Sequence, residues 1–359
     1  MPTPPSIRDR RELTTNTTVA NAEKGKTASM EELMAGKWLN ETERGLQQSF
    51  RLKGTAVLLI LLIVGVCAWA WNDGPDRFPA PPRTVSLHAE RVAIDPAGVT
   101  PLRLVGAWRL TAADRRFGGL SALTIDRGRL LALSDSGVTF RFSAPEQGDG
   151  SIAITDLGDG PGSPLLKQNR DSESLARDPY GRGWWIGFEG RNSAWLYDRD
   201  FRHRLGAIDF GKKRWPRNVA IEAMLADPGR LILLPEGGGE RVDVAQGQAR
   251  SSPLHGTDSR ISDAARLPDG TVLILLRKVG LTGFRNALAV LTREGNGWAI
   301  TRRVQLDLGR FANAEGIAVQ PLGHGATRLW IVTDDNFRPP MTTLLFALDL
   351  PPGGWPGKG

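Results

Sequence analysis

Short apolar runs separated by turn residues dominate the chain from about residue 84 onward. Within a run, apolar and polar residues alternate, and each run ends near Gly, Pro, Asp or Asn. A period of two is typical of a β-strand with one buried face, whereas an amphipathic helix repeats every 3.6 residues. The pattern therefore predicts an all-β domain over residues 84–359.

Five segments of this region share one order of residue types. Each begins with a polar or acidic residue, continues as a short strand, turns at Asp, Pro or Gly, and returns as a more apolar strand that ends on a charged residue. Pro presets φ and Gly accepts a positive φ, so such turns close hairpins. The five predicted hairpins span residues 118–137, 171–190, 218–237, 260–278 and 313–337.

The spacing of these hairpins predicts a β-propeller. Their leading residues recur every 40 to 52 positions or so, which is the period of a four-stranded blade; they are Ser121, Glu173, Glu222, Asp263 and Glu315. A sixth blade is expected from residues 86–110 together with a C-terminal strand, which would join the chain ends. Six blades are therefore favoured, with five or seven as alternatives and a β-sandwich as the competing fold.

One uncharged apolar stretch, from Thr55 to Trp71, differs from the strands. It is just long enough to cross the apolar core of a bilayer as a helix. Arg51 and Lys53 precede it and Asp73 follows it. By the positive-inside rule this charge distribution keeps the N-terminus in the cytoplasm and exports the remainder. The sequence thus predicts one transmembrane helix before the propeller.

Three fates of this stretch remain open. A retained single-pass anchor would hold the propeller in the periplasm at a bacterial inner membrane, and this interpretation is favoured. A signal peptide cleaved at the small residues Ala68 and Ala70 would release the domain as a secreted protein. A lipoprotein attached through Cys67 is the third alternative. The predicted organisation is a largely disordered cytoplasmic segment (1–54), the span (55–71), a Pro-rich linker (72–83) and the propeller (84–359).

Composition narrows the functional classes. The chain is 40% hydrophobic and 24% charged, as in globular proteins, and its net charge of +7 comes from dispersed arginines. No basic helix or nucleic-acid-reading motif accompanies this charge, so no nucleic-acid partner is expected. The single cysteine, Cys67, excludes an intrachain disulfide and a Cys-x-x-Cys site. No Gly-x-Ser-x-Gly elbow occurs, so α/β-hydrolase chemistry is not supported, and the Gly-rich loop at residues 158–162 lacks the lysine of a P-loop. No organic cofactor is expected.

The open ends of the predicted hairpins collect charged residues. In an antiparallel hairpin, the start of the first strand and the end of the second lie side by side. The expected pairs are Ser121 with Asp135, Glu173 with Glu189, Glu222 with Glu236, Asp263 with Arg277, and Glu315 with Asp334. All ten positions should then lie on one rim around the central channel. Crowded carboxylates raise one another's pKa and need compensation, from a hard cation such as Ca²⁺ or from arginine.

Several short segments together resemble the phytase-like family, which is described by an esterase-like activity of phytase. The resemblance runs over roughly residues 104–350. Ala220 and Ala223 stand where the family's motifs are expected to have Gly, and Leu276 where an acid is expected. The landmarks are residues 118–121 (GGLS), 134–137 (SDSG), 171–176 (DSESLA), 189, 218, 221–222 (IE), 236–237 (EG), 275–277 (LLR), 313–318 (NAEGIA) and 334–337 (DDNF).

The resemblance implies an exported bacterial β-propeller that hydrolyses carboxylate esters or phosphomonoesters, with or without Ca²⁺. Applied to the rim, it makes Glu173, Glu222, Arg277 and Glu315 the candidate catalytic residues. A small ester or phosphate-bearing substrate is the expected ligand. A non-catalytic propeller that binds a ligand or a protein partner at the same rim is the alternative, since acids in this position can simply fix the hairpins. The candidate metal ligands are Asp135, Glu189, Glu236, Asp263, Asp334 and Asp335.

Overall fold

A computed structural model describes Val57 and residues 79–210, 221–256 and 258–356. The N-terminal segment, the predicted span apart from Val57, and the linker as far as residue 78 lie outside the described residues. Among those that are described, no helix has the length and apolar character needed to cross a membrane. The helices found there are three 3₁₀ turns, at Pro96–Val99, Lys167–Asn169 and Glu189–Arg191.

The remaining elements of the described chain are β-strands, in agreement with the predicted all-β class. In chain order they are β1 (Arg83–Arg91), β2 (Arg103–Ala112), β3 (Leu120–Asp126), β4 (Arg129–Ser134), β5 (Val138–Phe142), β6 (Ser151–Asp156), β7 (Ser172–Arg177), β8 (Gly183–Phe188), β9 (Ser193–Asp198), β10 (Arg204–Asp209), β11 (Ile221–Asp227), β12 (Arg230–Pro235), β13 (Glu240–Ala245), β14 (Gln248–His255), β15 (Arg260–Arg266), β16 (Val272–Gly280), β17 (Gly283–Glu294), β18 (Gly297–Leu306), β19 (Asn313–Gly323), β20 (Ala326–Asp334) and β21 (Leu344–Asp349).

These strands form a β-propeller of antiparallel four-stranded blades. Blade 1 contains β3 to β6, blade 2 contains β7 to β10, blade 3 contains β11 to β14, and blade 4 contains β15 to β18. Blade 5 contains β19, β20, β21 and β2. The first-named strand of each blade is innermost, and each of these five strands contacts the next around a ring that closes between β19 and β3. All five predicted hairpins are therefore the inner hairpins of blades.

The chain ends join in one blade, as the sequence analysis expected. β2 pairs antiparallel with β21, with Trp108 opposite Leu345. The predicted sixth blade, however, is not formed by the described residues, which make five. Residues 86–110 contribute only β1 and β2, and two strands cannot bury both of their faces alone. β2 completes blade 5, and β1 bridges β2 and β6 at the outer edges of blades 5 and 1.

The core lies between blades, in five hydrophobic clusters of the described residues. The inner hairpins show why. Along β4, Leu130 and Ala132 pack in the cluster shared with blade 5, whereas Leu131 and Leu133 pack in the cluster shared with blade 2. Because the second strand of each inner hairpin is covered on both faces, it is a nearly continuous apolar run rather than an alternating one. This packing fixes where the hairpin ends lie around the channel.

Candidate active site

A β-bulge interrupts the start of every inner hairpin. The register between the two strands shifts at one residue in each blade, and that residue has no direct partner on the second strand. Bulges of this kind redirect a side chain and often accompany functional sites. The five bulged residues are Ser121, Glu173, Glu222, Ser262 and Glu315. Four of them are leading residues identified in the sequence.

In the fourth hairpin the bulged residue lies one position before the predicted one. Asp263 was predicted to lead this hairpin and to face Arg277. The register instead places Arg277 opposite Arg260 and Asp263 opposite Leu275, so the bulged residue is Ser262. The predicted pairing of Asp263 with Arg277 is therefore wrong. One step along a strand moves a side chain to the other face, which is why a shift of one residue matters here.

The bulges also change which residues face each other across the other hairpins. Glu189, predicted to face Glu173, donates its backbone N–H to the carbonyl of Asp171 at 2.8 Å. Asp334 lies opposite Asn313. Because of the bulge, the residue two positions before the bulged one lies opposite the end of the second strand, where the bulged residue was predicted to lie. In this way Asp171 joins the rim, although the sequence analysis did not select it as a site residue.

One side of the rim, the Arg277 sector, consists of Arg277, Glu236, Asn313 and Glu315. Arg277 Nη2 donates to Glu236 Oε1 at 2.9 Å, and Nη1 donates to Asn313 Oδ1 at 2.9 Å and to Glu315 Oε1. Asn313 Nδ2 donates to the same Glu315 oxygen at 2.9 Å. Arg260, largely exposed, adds a second contact to Glu236 at 2.6 Å. One largely buried guanidinium, with its side chain 16% exposed, therefore joins carboxylates from blades 3 and 5.

The opposite side, the Lys167 sector, consists of Asp135, Lys167, Asp171, Glu173 and Glu189. Lys167 Nζ lies 3.1 Å from Asp135 Oδ2 and 3.2 Å from Asp171 Oδ1. One carboxylate oxygen from each of Asp171, Glu173 and Glu189 lies within 4.8 Å of the other two. A single ammonium thus faces a larger number of carboxylates than it can contact.

Lys167 is placed by the loop between β6 and β7. The 3₁₀ turn Lys167–Asn169 ends at Arg170, whose buried guanidinium donates from Nη1 to the carbonyls of Pro161 (2.9 Å) and Asn169 (3.0 Å). The loop is therefore held from inside, and it directs Lys167 toward the rim. Lys167 is not among the residues predicted from the sequence, because it lies outside every hairpin and only the tertiary fold brings it to the carboxylates.

The electrostatics of the two sectors differ. Burial raises the pKa of Glu315 to about 6, against the opposing effect of Arg277. Burial and the carboxylate of Asp171 raise the pKa of Glu189 to about 8. Burial and the neighbouring Glu222 raise the pKa of Glu173 well above its usual range. A partly uncompensated cluster of this type is characteristic of sites that bind a cation or transfer protons.

Glu222 and Asp334 lie between the two sectors. Burial and the nearby Glu315 raise the pKa of Glu222 well above its usual range. The pKa of Asp334 is raised likewise, by burial and then by Asp135, although Asp334 Oδ1 accepts a hydrogen bond of 2.6 Å from the backbone N–H of Asn336. These two residues make the acidic rim continuous from one sector to the other.

Two of the predicted metal ligands mainly bind backbone. Asp263 accepts hydrogen bonds from the N–H groups of Ala264 (2.7 Å) and Ile317 (2.8 Å) and is buried. Asp335 accepts one from the N–H of Gly119 at 2.9 Å. These contacts correspond to the alternative in which such acids fix the hairpins. Their metal-ligand roles remain predictions.

The paired glycines before β3 explain one landmark of the sequence. Gly119 has φ of +60°, and a Cβ placed there would lie 2.5 Å from Asp135 Oδ1. Any larger residue would therefore be strained and would also push against a rim carboxylate. The glycine lets the chain pass directly beside Asp135 while its N–H reaches Asp335.

A family model described as "Phytase-like: Esterase-like activity of phytase" matches residues 115–337, well over half of the chain. No curated protein matches the chain. Among solved structures, the glutaminyl cyclase of Myxococcus xanthus is 12% identical with a TM-score of 0.43, and the match covers 69% of this chain and 95% of that one.

Two further structures are similarly remote. The hydrazine synthase of Kuenenia stuttgartiensis is 14% identical with a TM-score of 0.37, covering 69% of this chain and 71% of that one. The β-propeller domain of Cps50 (Swd1) from Myceliophteria thermophila is 12% identical with a TM-score of 0.37, covering 65% and 68%. The sequence landmarks lie at the bulged hairpin starts and ends, and the family model spans the rim from blade 1 to blade 5. The chain belongs to the phytase-like family, described by an esterase-like activity of phytase.

Proposed function

We propose that the protein is a hydrolase of phosphate or carboxylate esters that acts at the acidic rim of the propeller with the help of a hard cation, for which Ca²⁺ is the expected ion. The observation that carries this proposal is the Lys167 sector, where the oxygens of Asp171, Glu173 and Glu189 lie within 4.8 Å of one another. Membership of the phytase-like family supports the same class of reaction.

The residues of the Lys167 sector fit a hard cation. Carboxylate oxygens are the ligands that Ca²⁺ prefers, and this sector offers them from the loop before β7, from β7 itself and from the turn after β8. Asp135 Oδ1 is buried and accepts no hydrogen bond within the described part of the chain. Asp135, Asp171, Glu173 and Glu189 would hold the ion. When bound, such a cation neutralises ester oxygens and polarises the bond to be broken.

The Arg277 sector supplies groups for proton transfer and charge stabilisation. Glu315 has a pKa of about 6, which is near neutral pH, so it would accept a proton from an attacking water. Two guanidinium nitrogens of Arg277 hold Glu236 and Glu315. Its Nε–H has no acceptor among the described residues, so it remains available to a substrate oxygen that becomes negative. Glu222 lies between the sectors and would orient the substrate.

Hydrolysis is tested with the full-length chain purified in mild detergent, on p-nitrophenyl acetate and p-nitrophenyl phosphate, in Ca²⁺ or in EDTA. We expect turnover that requires Ca²⁺ and falls by on the order of a hundredfold in Glu315→Gln, because a general base typically contributes that much. Glu294→Gln, an exposed glutamate on blade 4, serves as the matched control and should retain activity.

Two outcomes would contradict the proposal. If neither substrate is turned over and Ca²⁺ causes no thermal shift, both the proposed reaction and the proposed ion are contradicted. Binding of Ca²⁺ without turnover would favour the alternative of a non-catalytic propeller that holds a ligand or a protein partner at this rim.

We also propose that the chain is anchored in a bacterial inner membrane through residues 55–71, with the propeller in the periplasm. The uncharged composition of that stretch and the charges on either side support the proposal. Fractionation should find the protein with the membranes, with the propeller open to protease added to spheroplasts. A soluble periplasmic product beginning near Ala70 would instead indicate a cleaved signal peptide.

A further inference from the structure

A second site candidate lies far from the rim, in a cleft of about 500 Å³ between blades 3 and 4. The inner strands β11 and β15 locate it. Each begins at the rim, near Glu222 and Ser262, and each ends at the cleft, at Asp227 and Arg266. The cleft therefore opens at the other end of these strands and shares no residue with either rim sector.

The cleft carries an excess of positive charge. Its arginines are Arg230, Arg241, Arg266, Arg293 and Arg302. Asp227 lines the cleft and pairs with two of them, at 2.7 and 2.9 Å, and Asp243 nearby pairs with two, at 2.6 and 3.4 Å. Arg293 and Arg302 pair with no carboxylate among the described residues. Two aspartates against five arginines leave about three positive charges facing the cleft.

A buried arginine gives the cleft a built interior. The Arg241 side chain is only 4% exposed, and its Nε–H has no acceptor in the described part of the chain. Its guanidinium lies over the indole of Trp298, with 3.8 Å from Cζ to the ring centroid, and Arg293 lies 5.6 Å from the same ring. A buried N–H without an acceptor costs stability, and stacking on an indole holds the guanidinium in place. The unused donor is thus fixed in advance of any ligand.

The equivalent position between blades 1 and 2 shows that this is not a general feature of the fold. That gap has a volume of about 100 Å³. Its aspartate, Asp126, pairs with Arg177 at 2.7 Å and with Arg141 at 3.0 Å. Arginine at the ends of the inner strands is therefore common to both positions. The larger volume and the buried Arg241, which lies over the indole of Trp298, distinguish the cleft between blades 3 and 4.

We propose that this cleft binds a multivalent oxyanion, of the class of a phosphate ester or a polyphosphate. The planar guanidinium matches the oxygens of a phosphate group with paired hydrogen bonds, and several guanidinium groups in one cleft select for multiple negative charges. Arg241 supplies the buried donor, and Arg293 and Arg302 supply the charge that is not neutralised. The site is separate from the rim and does not depend on hydrolysis there.

The test is isothermal titration of inorganic pyrophosphate into the full-length chain in EDTA, which keeps cations off the rim. We expect one binding site, with affinity reduced at least tenfold in the double variant Arg293→Gln/Arg302→Gln, since charged hydrogen bonds are each worth about that much. The matched control is Arg199→Gln/Arg202→Gln, which removes the same charge from blade 2 and should bind as the unchanged protein does. Arg293→Gln alone, at an exposed position, should give a partial loss.

Three results would overturn the proposal. The first is no binding of pyrophosphate at millimolar concentration. The second is an equal loss in the two double variants, which would indicate attraction to net charge alone. The third is a loss in Lys167→Gln together with retention in Arg293→Gln/Arg302→Gln, which would place the anion at the rim. Thermal unfolding of each variant verifies that the propeller is intact.

Discussion

The two sectors of the rim are built from the same kinds of side chain, but the negative charge of their carboxylates is neutralised to different degrees. Each contains carboxylates at bulged hairpin ends and one cation whose side chain is 16% exposed. Arg277, with its planar set of donors, contacts Glu236, Glu315 and Asn313 together. Lys167, a point charge, contacts Asp135 and Asp171. The geometry of the cation therefore decides how much of an acidic cluster the protein itself compensates, and this difference is why we propose the ion at the Lys167 sector.

The largest expected effect is that of Arg277→Met. Removing the guanidinium leaves Glu236 and Glu315 buried without their partner, so the free energy of unfolding should fall by about 3–5 kcal/mol. Urea denaturation measures it. Arg260→Met is the control, because Arg260 contacts the same Glu236 from a largely exposed position and should cost less than about 1 kcal/mol. Equal losses would show that the Arg277 sector is not held by its buried cation.

Ca²⁺ should separate the sectors more directly. At a free concentration one hundred times its Kd, the ion should raise the free energy of unfolding by about 2.7 kcal/mol, because it binds only the folded state. Glu173→Gln should abolish this increment, whereas Glu236→Gln should retain it, since Glu236 is already paired with arginine. If the increment depended on Glu236 and not on Glu173, the ion would bind in the Arg277 sector, which would contradict the proposed site.

The pH dependence of the ion-free protein should follow the Lys167 sector. The folded protein raises the pKa of Glu189 from 4.5 to about 8, so between these values it binds more protons than the unfolded chain does. Stability should therefore fall as pH rises from 5 to 8, by on the order of 2 kcal/mol. Denaturation in EDTA across this range measures the slope, which Glu189→Gln should reduce. A flat or rising profile would contradict the assigned direction.

The smallest expected effect on stability is that of Ser121, a bulged residue that is not acidic. Ser121 Oγ donates to the carbonyl of Ser172 at 2.6 Å and so links blades 1 and 2. Ser121→Ala should lower the free energy of unfolding by about 1 kcal/mol, the usual value of one buried hydrogen bond. The exposed Ser86→Ala should change it by less than about 0.5 kcal/mol. Loss of Ca²⁺ binding in Ser121→Ala would mean that the serine bulges belong to the ion site.

Much of the site could be predicted from the order of residue types shared by the five hairpins. The residues that were not predicted have one cause in common. Glu173, Glu222 and Glu315 were identified because turn residues and apolar runs frame them locally. The choice of Asp263 over Ser262 failed because a bulge of one residue leaves no trace in an alternation pattern. Lys167 was missed because it lies in a loop, and its contacts with Asp135 depend on how two blades pack.

The sequence by itself determined the all-β class, the five hairpins, the joining of the chain ends and the acidic character of the hairpin starts. These follow from local rules, because side-chain period and turn chemistry act over a few residues. Only the tertiary structure decided that the described strands form five blades, that one cation serves each sector, and that arginines accumulate between blades 3 and 4. Those outcomes depend on contacts between residues far apart in the chain, whose pairing is selected by burial of whole faces rather than by any local pattern.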